Sequence, residues 1–468
     1  MPVESPANPS CLRDPWILGA FGLALLLRGG LVAWFPDPTP VNDEIDYWRL
    51  AEGLARGEGF GSNFRPPLHP AFMSFFVELG PGAVAVRAVQ ALLGALSVFA
   101  IAWLAERLSG RVAARVAGFG FALDPVLIGF SHLLWSETLY IALLLGGIAA
   151  LVFDARRVRP AHWAVGGLCF GLAALARPQL LTFLPLLLPW AWLVARRRGT
   201  AQLRPAAIAF VALTCSTCAV VLPWSLRNAR QTGAFFLVDT NGPYNVLVGT
   251  EPGAHRVDKD DRWSPAWAAI GNLHYMVAAE RDPGAAQRLA LRRAGRRIAE
   301  APGRFVRKSL WEAVHLFTLD NFVLRHLRND WYGVASSPSL TALLTVWCVL
   351  WTALLYAGGS AGLILQPASP LRGIALMALL HAVVLFGLTY SLSRYAVPLR
   401  PFFLLGCAWL VTSRQAALER LRCDHQAAGL CVATAAWLLL AWARDLPLLV
   451  DLLATGGAGF PFVRGMAP

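Results

Sequence analysis

The sequence predicts an all-α, polytopic integral membrane protein. Charged residues make up only 15% of the 468-residue chain, against about 25% in an ordinary soluble domain. Apolar residues make up 56%, and the mean hydropathy is positive. Stretches of the length a bilayer requires, about 20 mostly apolar residues, recur along the chain. Eleven are expected, at about 15–35, 82–104, 112–130, 133–152, 161–176, 179–195, 206–224, 339–365, 373–391, 396–412 and 427–443. Such a composition excludes disordered, collagen-like and disulfide-stapled chains.

The first segment is long, contains Arg28, and is followed by no small-residue cleavage site, so it reads as a retained span and not a signal peptide. The arginines then set the sidedness through the positive-inside rule. With the N-terminus in the cytoplasm, fifteen arginines fall in the short inner segments (Arg13 to Arg422), against seven in the short outer segments and the 36–81 loop. Two long loops, 36–81 and 225–338, land outside. In the second, 284–301 and 303–318 read as helices. The latter interleaves Phe305, Leu310, Trp311, Val314 and Phe317 with Arg304, Arg307 and Lys308, a pattern that suits a helix on the membrane surface or one packed on the loop's own core. Residues 1–443 are read as one transmembrane catalytic domain and 444–468 as a short, loose tail.

The net charge is +13, and Lys259 and Lys308 are the only lysines. In a membrane chain this balance points to anionic lipids and phosphorylated lipid substrates, and not to nucleic acid. Cys169, Cys215, Cys218, Cys348, Cys407 and Cys431 lie in apolar stretches. The Cys215–Cys218 spacing has no second pair, so a metal or redox centre is not expected there.

Ionisable residues at the outer edge are the candidates for chemistry. Asp43, Glu44 and Asp46 follow the first span directly. Carboxylates beside a bilayer are costly, so they imply a general base, a metal ligand or a helix cap. Arg65 precedes Pro66 and Pro67, which stiffen the backbone and hold a guanidinium where a phosphate can meet it. The same topology, set without these residues, places Glu137, Arg177, Arg227 and Arg394 on that face. Carboxylates among arginines at a membrane surface suit an anionic lipid head group with acid–base chemistry beside it.

These pieces resemble the polytopic GT-C glycosyltransferases, especially the branch of protein O-mannosyltransferases and lipid A aminoarabinose transferases. The matching motifs are Asp43-Glu44, Arg65-Pro66-Pro67-Leu68-His69-Pro70, Ser136-Glu137 and Ala176-Arg177-Pro178. Pro223-Trp224-Ser225-Leu226-Arg227-Asn228 follows, with Gly233 and Asn241-Gly242 beyond, then Arg394-Tyr395 with Pro398 and Pro401. Each is short; their order and common side make the signal. The resemblance implies transfer of a sugar, with inversion, from a polyprenyl-phosphate carrier to an acceptor hydroxyl of an envelope glycolipid, polysaccharide or protein. It implies Asp43 as the base and Glu44 as its neighbour in the catalytic pair. It implies donor and phosphate contacts among Arg65, His69, Glu137, Arg177, Arg227, Asn228, Arg394 and Tyr395. A divalent cation, Mg or Mn, is left open, with Asp43 and Glu137 as its candidate ligands. His69 departs from the aromatic residue common in relatives, and the folded C-terminal domain many of them carry has no counterpart here. Arginine-rich usage points to a GC-rich bacterial genome, hence a plasma-membrane protein with its site on the periplasmic or extracellular face. The rival readings are a lipid-linked sugar flippase, which would place polar groups along a path through the spans, and a non-catalytic assembly protein.

Overall fold

A computed structural model of the chain describes residues 13–36, 43–80, 82–153, 159–196, 203–251, 282–328 and 338–455. Asn42, Arg156, Arg157, Arg197, Arg198, Lys259 and the tail beyond residue 455 lie outside them. The described residues are helical with no strand, as the composition requires.

Helix α1 (Pro15–Trp34) starts at Asp14, whose side chain accepts from the Trp16 amide. Two helices of the first long loop follow, α2 (Asp43–Ala55) and α3 (Leu68–Glu78). Helix α4 runs over Gly82–Leu123 but is interrupted at Ser109 and Gly110, where Gly110 has φ +84°. It therefore contains the second expected span and most of the third. Asp124 and Pro125 then end it, and α5 (Pro125–His132) begins with Asp124 accepting from the Val126 and Leu127 amides. Helix α6 (Glu137–Val152) leaves α5 at 117°.

Such a corner orphans backbone groups, which must be paired inside a membrane protein. Gln90 donates to the Ser131 and Leu133 carbonyls (3.3 and 2.7 Å), and Arg87 donates to the His132 carbonyl at 3.2 Å. The Leu134 amide donates to Glu44 at 2.6 Å. The corner is thus held from α4 and α2.

The remaining membrane helices are α7 (Pro160–Ala176), α8 (Leu180–Phe183), α9 (Leu187–Arg196), α10 (Leu203–Thr232) and, after the second long loop, α15 (Pro338–Leu365), α16 (Pro370–Leu388), α17 (Arg400–Thr412) and α19 (His425–Ala443). Helix α18 (Arg414–Cys423) joins α17 to α19. Each of the eleven expected segments falls on one or more of these helices. Seven described helices are long and apolar enough to cross a membrane, eight if the bent pair α5–α6 counts as one; 160–176 and 180–194 are shorter apolar helices. The fewer spans follow from the merging of two segments in α4 and from the breaks at Asp124 and at Leu184–Leu186.

Helix α4 is central, packing on α1, α6 and α17. Small residues set the closest crossings, as expected where lipid gives helices no hydrophobic reason to associate. A Cβ on Gly362 of α15 would lie 1.9 Å from the Gly406 carbonyl of α17, and one on Gly167 of α7 would lie 2.3 Å from the Leu213 carbonyl of α10. Gly362→Val is expected to separate α15 from α17 and to lower the thermal midpoint of the purified protein. An unchanged midpoint would mean that the crossing is not tight.

The second long loop is mostly helical where described. Helix α10 continues to Thr232, beyond the expected span end, and Gly233 (φ +70°) reverses the chain. The returning segment is pinned to α10: Trp224 and Asn228 donate to the Val238 carbonyl (2.9 and 3.1 Å) and Ser225 to Leu237 at 2.6 Å. Helix α11 (Asn241–Val248) receives Ala290 and Ala294 of α12 (Pro283–Glu300). Helix α13 (Pro302–His315) packs along α16 and α19. It therefore lies on spanning helices and not on a core of the loop, with Val306 and Leu310 turned outward. Helix α14 (Phe322–Arg328) ends the described part of the loop. Residues 446–455 differ from the loose end expected. They form α20 (Leu446–Thr455), anchored by the buried Asp445, which accepts from the Thr318 hydroxyl and, at 2.7 Å, from the Leu319 amide.

Candidate functional site

Five of the expected residues converge where α2 begins, α6 begins and α7 ends. Asp43 is the first residue of α2. It does not act as a cap; its carboxylate lies between two guanidiniums, Arg65 at 2.7 Å and Arg394 at 2.6 Å. Arg394 stands on the short 3-10 helix Ser393–Leu399 and also meets Glu137 at 3.0 Å. Glu137 is fully buried and receives Arg177, the residue that caps α7. At the other end, Arg65 meets Asp46 at 2.7 Å. Three carboxylates and three guanidiniums therefore alternate in one chain: Asp46, Arg65, Asp43, Arg394, Glu137, Arg177.

Aromatic faces support the cations. Arg394 lies 4.1 Å over the ring of the buried Trp135, and Arg65 lies 5.5 Å over Tyr47 and 5.5 Å over Phe64. A cation over a π-face is favoured most where water is excluded. Burial raises the pKa of Asp43, but Arg394 and Arg65 more than offset this and hold it at about 2. Asp43 is therefore ionised at neutral pH. Burial pushes Asp239 up to about 7, with the Asn241 amide and Arg65 pulling the other way. The segment carrying Asp239 is tied to the first long loop by the Thr240 amide, which donates to the Asn63 carbonyl at 2.8 Å.

The other expected residues stand apart from this chain of charges. Glu44 is buried and turned toward the corner amide of Leu134, so it positions backbone and does not face Asp43's outer side. His69 is fully buried against Tyr47 and Phe72, and burial holds its ring at about 4, hence neutral. Arg227 donates to the Phe60 carbonyl at 2.7 Å and stacks over Trp224 at 4.6 Å. Asn228 holds the turn after α10. Both are framework residues in this arrangement. Tyr395 stacks on Phe386 and donates to the Tyr390 hydroxyl at 3.2 Å.

Tyr395 also lines a narrow apolar groove among α6, α8, α16 and α17, walled by Leu144, Phe183, Ala382, Phe386, Leu399 and Phe402. Its head abuts Arg177, whose guanidinium lies over both Tyr140 and Tyr395 of the lining at about 6 Å. An apolar chain in this groove would bring its polar end to the arginines.

Sequence reading named Asp46 among the edge carboxylates without giving it a contact, and passed over Trp135 and Asp239. Asp46 had a visible signal, its place three residues after Asp43. Trp135 and Asp239 had none, because their roles depend on a corner and a chain reversal.

A cation at this site would compete with the guanidiniums, although Oε2 of Glu137 is buried without a hydrogen-bond partner. Both oxygens of Asp43 and Oε1 of Glu137 are taken by guanidinium groups, so a dication would face three positive charges at contact distance. Among the described residues no three or more His, Cys, Asp and Glu side chains are placed to hold a metal ion.

Residues 64–224, about a third of the chain, match the model of the family described as dolichyl-phosphate-mannose-protein mannosyltransferase. That segment contains Arg65, Glu137 and Arg177, begins after Asp43 and ends before Arg394. No curated protein sequence matches. Among solved structures, the oligosaccharyltransferase of Archaeoglobus fulgidus in its apo form is similar at TM-score 0.53 and 15% identity, over 95% of this chain and 57% of that one. The same enzyme in complex with Zn and sulfate gives TM-score 0.50 and 14% identity, over 91% and 53%. With an inhibitory peptide and a dolichol-phosphate it gives 0.50 and 14%, over 97% and 57%. The chain thus spans a little over half the length of that enzyme. ArnT from Cupriavidus metallidurans bound to undecaprenyl phosphate aligns at TM-score 0.41 and 16% identity, over 86% and 78%. The likeness to the Archaeoglobus fulgidus enzyme is one of fold, and that fold is the all-helical one expected from the sequence.

Proposed function

We propose that the chain is a membrane glycosyltransferase that moves a sugar from a polyprenyl-phosphate carrier to an acceptor hydroxyl. The supporting observation is the meeting of Asp43 and Arg394, 351 residues apart in sequence, in a chain of alternating charges beside an apolar groove. The groove takes the prenyl tail, and the arginines take the phosphate. Asp43 takes the proton as the acceptor oxygen attacks the anomeric carbon. The carbon–oxygen bond to phosphate breaks, and the electron pair leaves on the phosphate, whose charge the guanidiniums neutralise. Attack opposite the leaving group inverts the anomeric centre.

Asp43 at about 2 is a weak base while both arginines face it. A donor phosphate competes for the same N–H groups. As Arg65 and Arg394 turn to it, Asp43 loses counter-charge and gains basicity. Donor binding therefore readies the base. Asp46, with 41% of its side chain exposed, is the partner Arg65 releases most easily.

The arginine asymmetry supports an N-terminus in the cytoplasm and a site on the periplasmic or extracellular face of a bacterial plasma membrane. Phosphorylated lipids and an envelope acceptor are then the partners at hand. No catalytic step is assigned to a metal, since the guanidiniums already supply positive charge.

The test is transfer by purified protein given a panel of polyprenyl-phosphate sugars and an envelope extract, with and without a chelator. Transfer unaffected by the chelator is expected, and Arg65→Ala should raise the donor KM by at least about tenfold. Absence of both transfer and donor hydrolysis, with lipid flipping instead, would overturn the reading.

A further inference from the structure

Arg394 joins two carboxylates, yet the turn that presents it is not held by the membrane bundle alone. Helix α16 ends at Leu388, and Thr389 (φ −96°, ψ −114°) breaks it. The short linker 389–392 then leads to the 3-10 helix that presents Arg394. Its backbone is gripped by the second long loop at three points. Lys308 of α13 donates to the carbonyls of Gly387 (3.0 Å), Leu388 (3.4 Å) and Thr389. These are the carbonyls a helix end leaves unpaired. Glu312, one turn on and fully buried, accepts from the Ser391 amide at 2.7 Å. From the opposite side, Gly249 at the end of α11 abuts the linker so closely that a Cβ would lie 2.2 Å from the Thr389 oxygen. Tyr390 and Leu392 of the linker pack on the cluster of Tyr244, Leu247, Ala290 and Ala294 from α11 and α12.

Lys308 is one of two lysines among 41 basic residues. An ammonium is a compact point charge with three donors, suited to carbonyls converging on one spot, whereas the planar guanidinium fork is not.

We propose that α11–α13 form a positioning clamp for Arg394, with Lys308, Glu312 and Gly249 as its jaws. The clamp fixes where the Arg394 guanidinium stands between Asp43 and Glu137. The long loop therefore sets the position of Arg394 in the transition state, and a displacement of the loop moves it. This rests on the glycosyltransferase reading only for its catalytic consequence; the clamp itself is a statement about backbone order.

Two readouts separate the two. In hydrogen exchange followed by mass spectrometry, peptides spanning 389–392 should exchange faster in Lys308→Met, Glu312→Leu and Gly249→Ala than in wild type. Glu312→Gln keeps an acceptor oxygen and should restore most of the protection. In sugar transfer, Glu312→Leu and Gly249→Ala should lose kcat by about 10²-fold with donor KM little changed, the mark of a misplaced transition-state contact, and Glu312→Gln should recover most of it. Unchanged exchange in all three variants would overturn the clamp. Faster exchange with unchanged kcat would overturn its link to Arg394. If wild type transfers no sugar from any donor, the functional reading fails and the clamp stands or falls on exchange. A variant that does not insert is replaced by Gly249→Ala, which removes no polar group.

Discussion

Asp43→Asn is expected to reduce kcat for sugar transfer by about 10²–10⁴-fold, the range for losing a positioned general base. The variant keeps the shape but only one acceptor oxygen, so one of Arg65 and Arg394 meets an amide NH2 and keeps only its other carboxylate, Asp46 or Glu137; charge and basicity are lost with it. Initial rates in reconstituted membranes, measured beside wild type at equal insertion, decide it. Rates within threefold of wild type would remove the base assignment and leave Asp239, raised by burial to about 7, as the carboxylate to test next. The pH behaviour has a defined sign. Asp43 is depressed from 3.8 to about 2, so its ion pairs contribute stability that is fully present above about pH 4 and is lost as pH falls through about 2. In the donor-free protein Asp43 therefore gives no titration between pH 5 and 8, and Asp43→Asn should flatten acid unfolding below pH 4 while lowering stability at neutral pH, where the wild-type ion pairs are intact, more than at pH 2.

The largest stability effect is expected away from the site. Asp124 and Arg400 form an ion pair at 2.7 Å, both essentially without solvent exposure. Arg400 begins α17 and Asp124 caps α5, so the pair ties the break after α4 to the helix that follows the Arg394 turn. Removing one partner leaves a buried, uncompensated charge, which costs about 3–5 kcal/mol. Asp124→Asn preserves the capping oxygen and isolates the charge. It is expected to lower the thermal midpoint sharply in detergent or nanodiscs. Replacing both partners, Asp124→Asn with Arg400→Met, should recover part of the loss, because Arg400 no longer stands alone while the buried Arg28, which Asp124 also faces, keeps its Ala122 and Phe121 carbonyls. Equal destabilisation by single and double variants would mean that the pair has another indispensable partner.

Much of this molecule is legible in its sequence. Membrane helices announce themselves by composition, because lipid tolerates so few charges along a span. The ends of helices are marked by Asp14, Asp124, Ser369 and Asp424, each accepting from a backbone amide of the following turn. The motifs that carried the GT-C resemblance also placed Asp43, Arg65, Glu137, Arg177 and Arg394 together. Arg227 and Asn228 belong to the same set of motifs, yet they serve the chain reversal after α10 and not the charge chain, and a motif alone does not say which role a residue fills.

What the sequence determined by itself is the all-helical membrane class, the order of the apolar segments and the residue types near one bilayer edge, because burial in lipid is a property of each segment on its own. What only the tertiary structure decided is which charge meets which. Asp43 and Glu44 are neighbours in sequence, but successive residues on a helix point about 100° apart, so one faces Arg394 and the other the amide of Leu134. Lys308 and Glu312 look like ordinary loop residues until α13 lies across the end of α16, where three carbonyls and an amide need partners. Pairing depends on the approach of distant segments, and that approach is set by packing across the whole bundle.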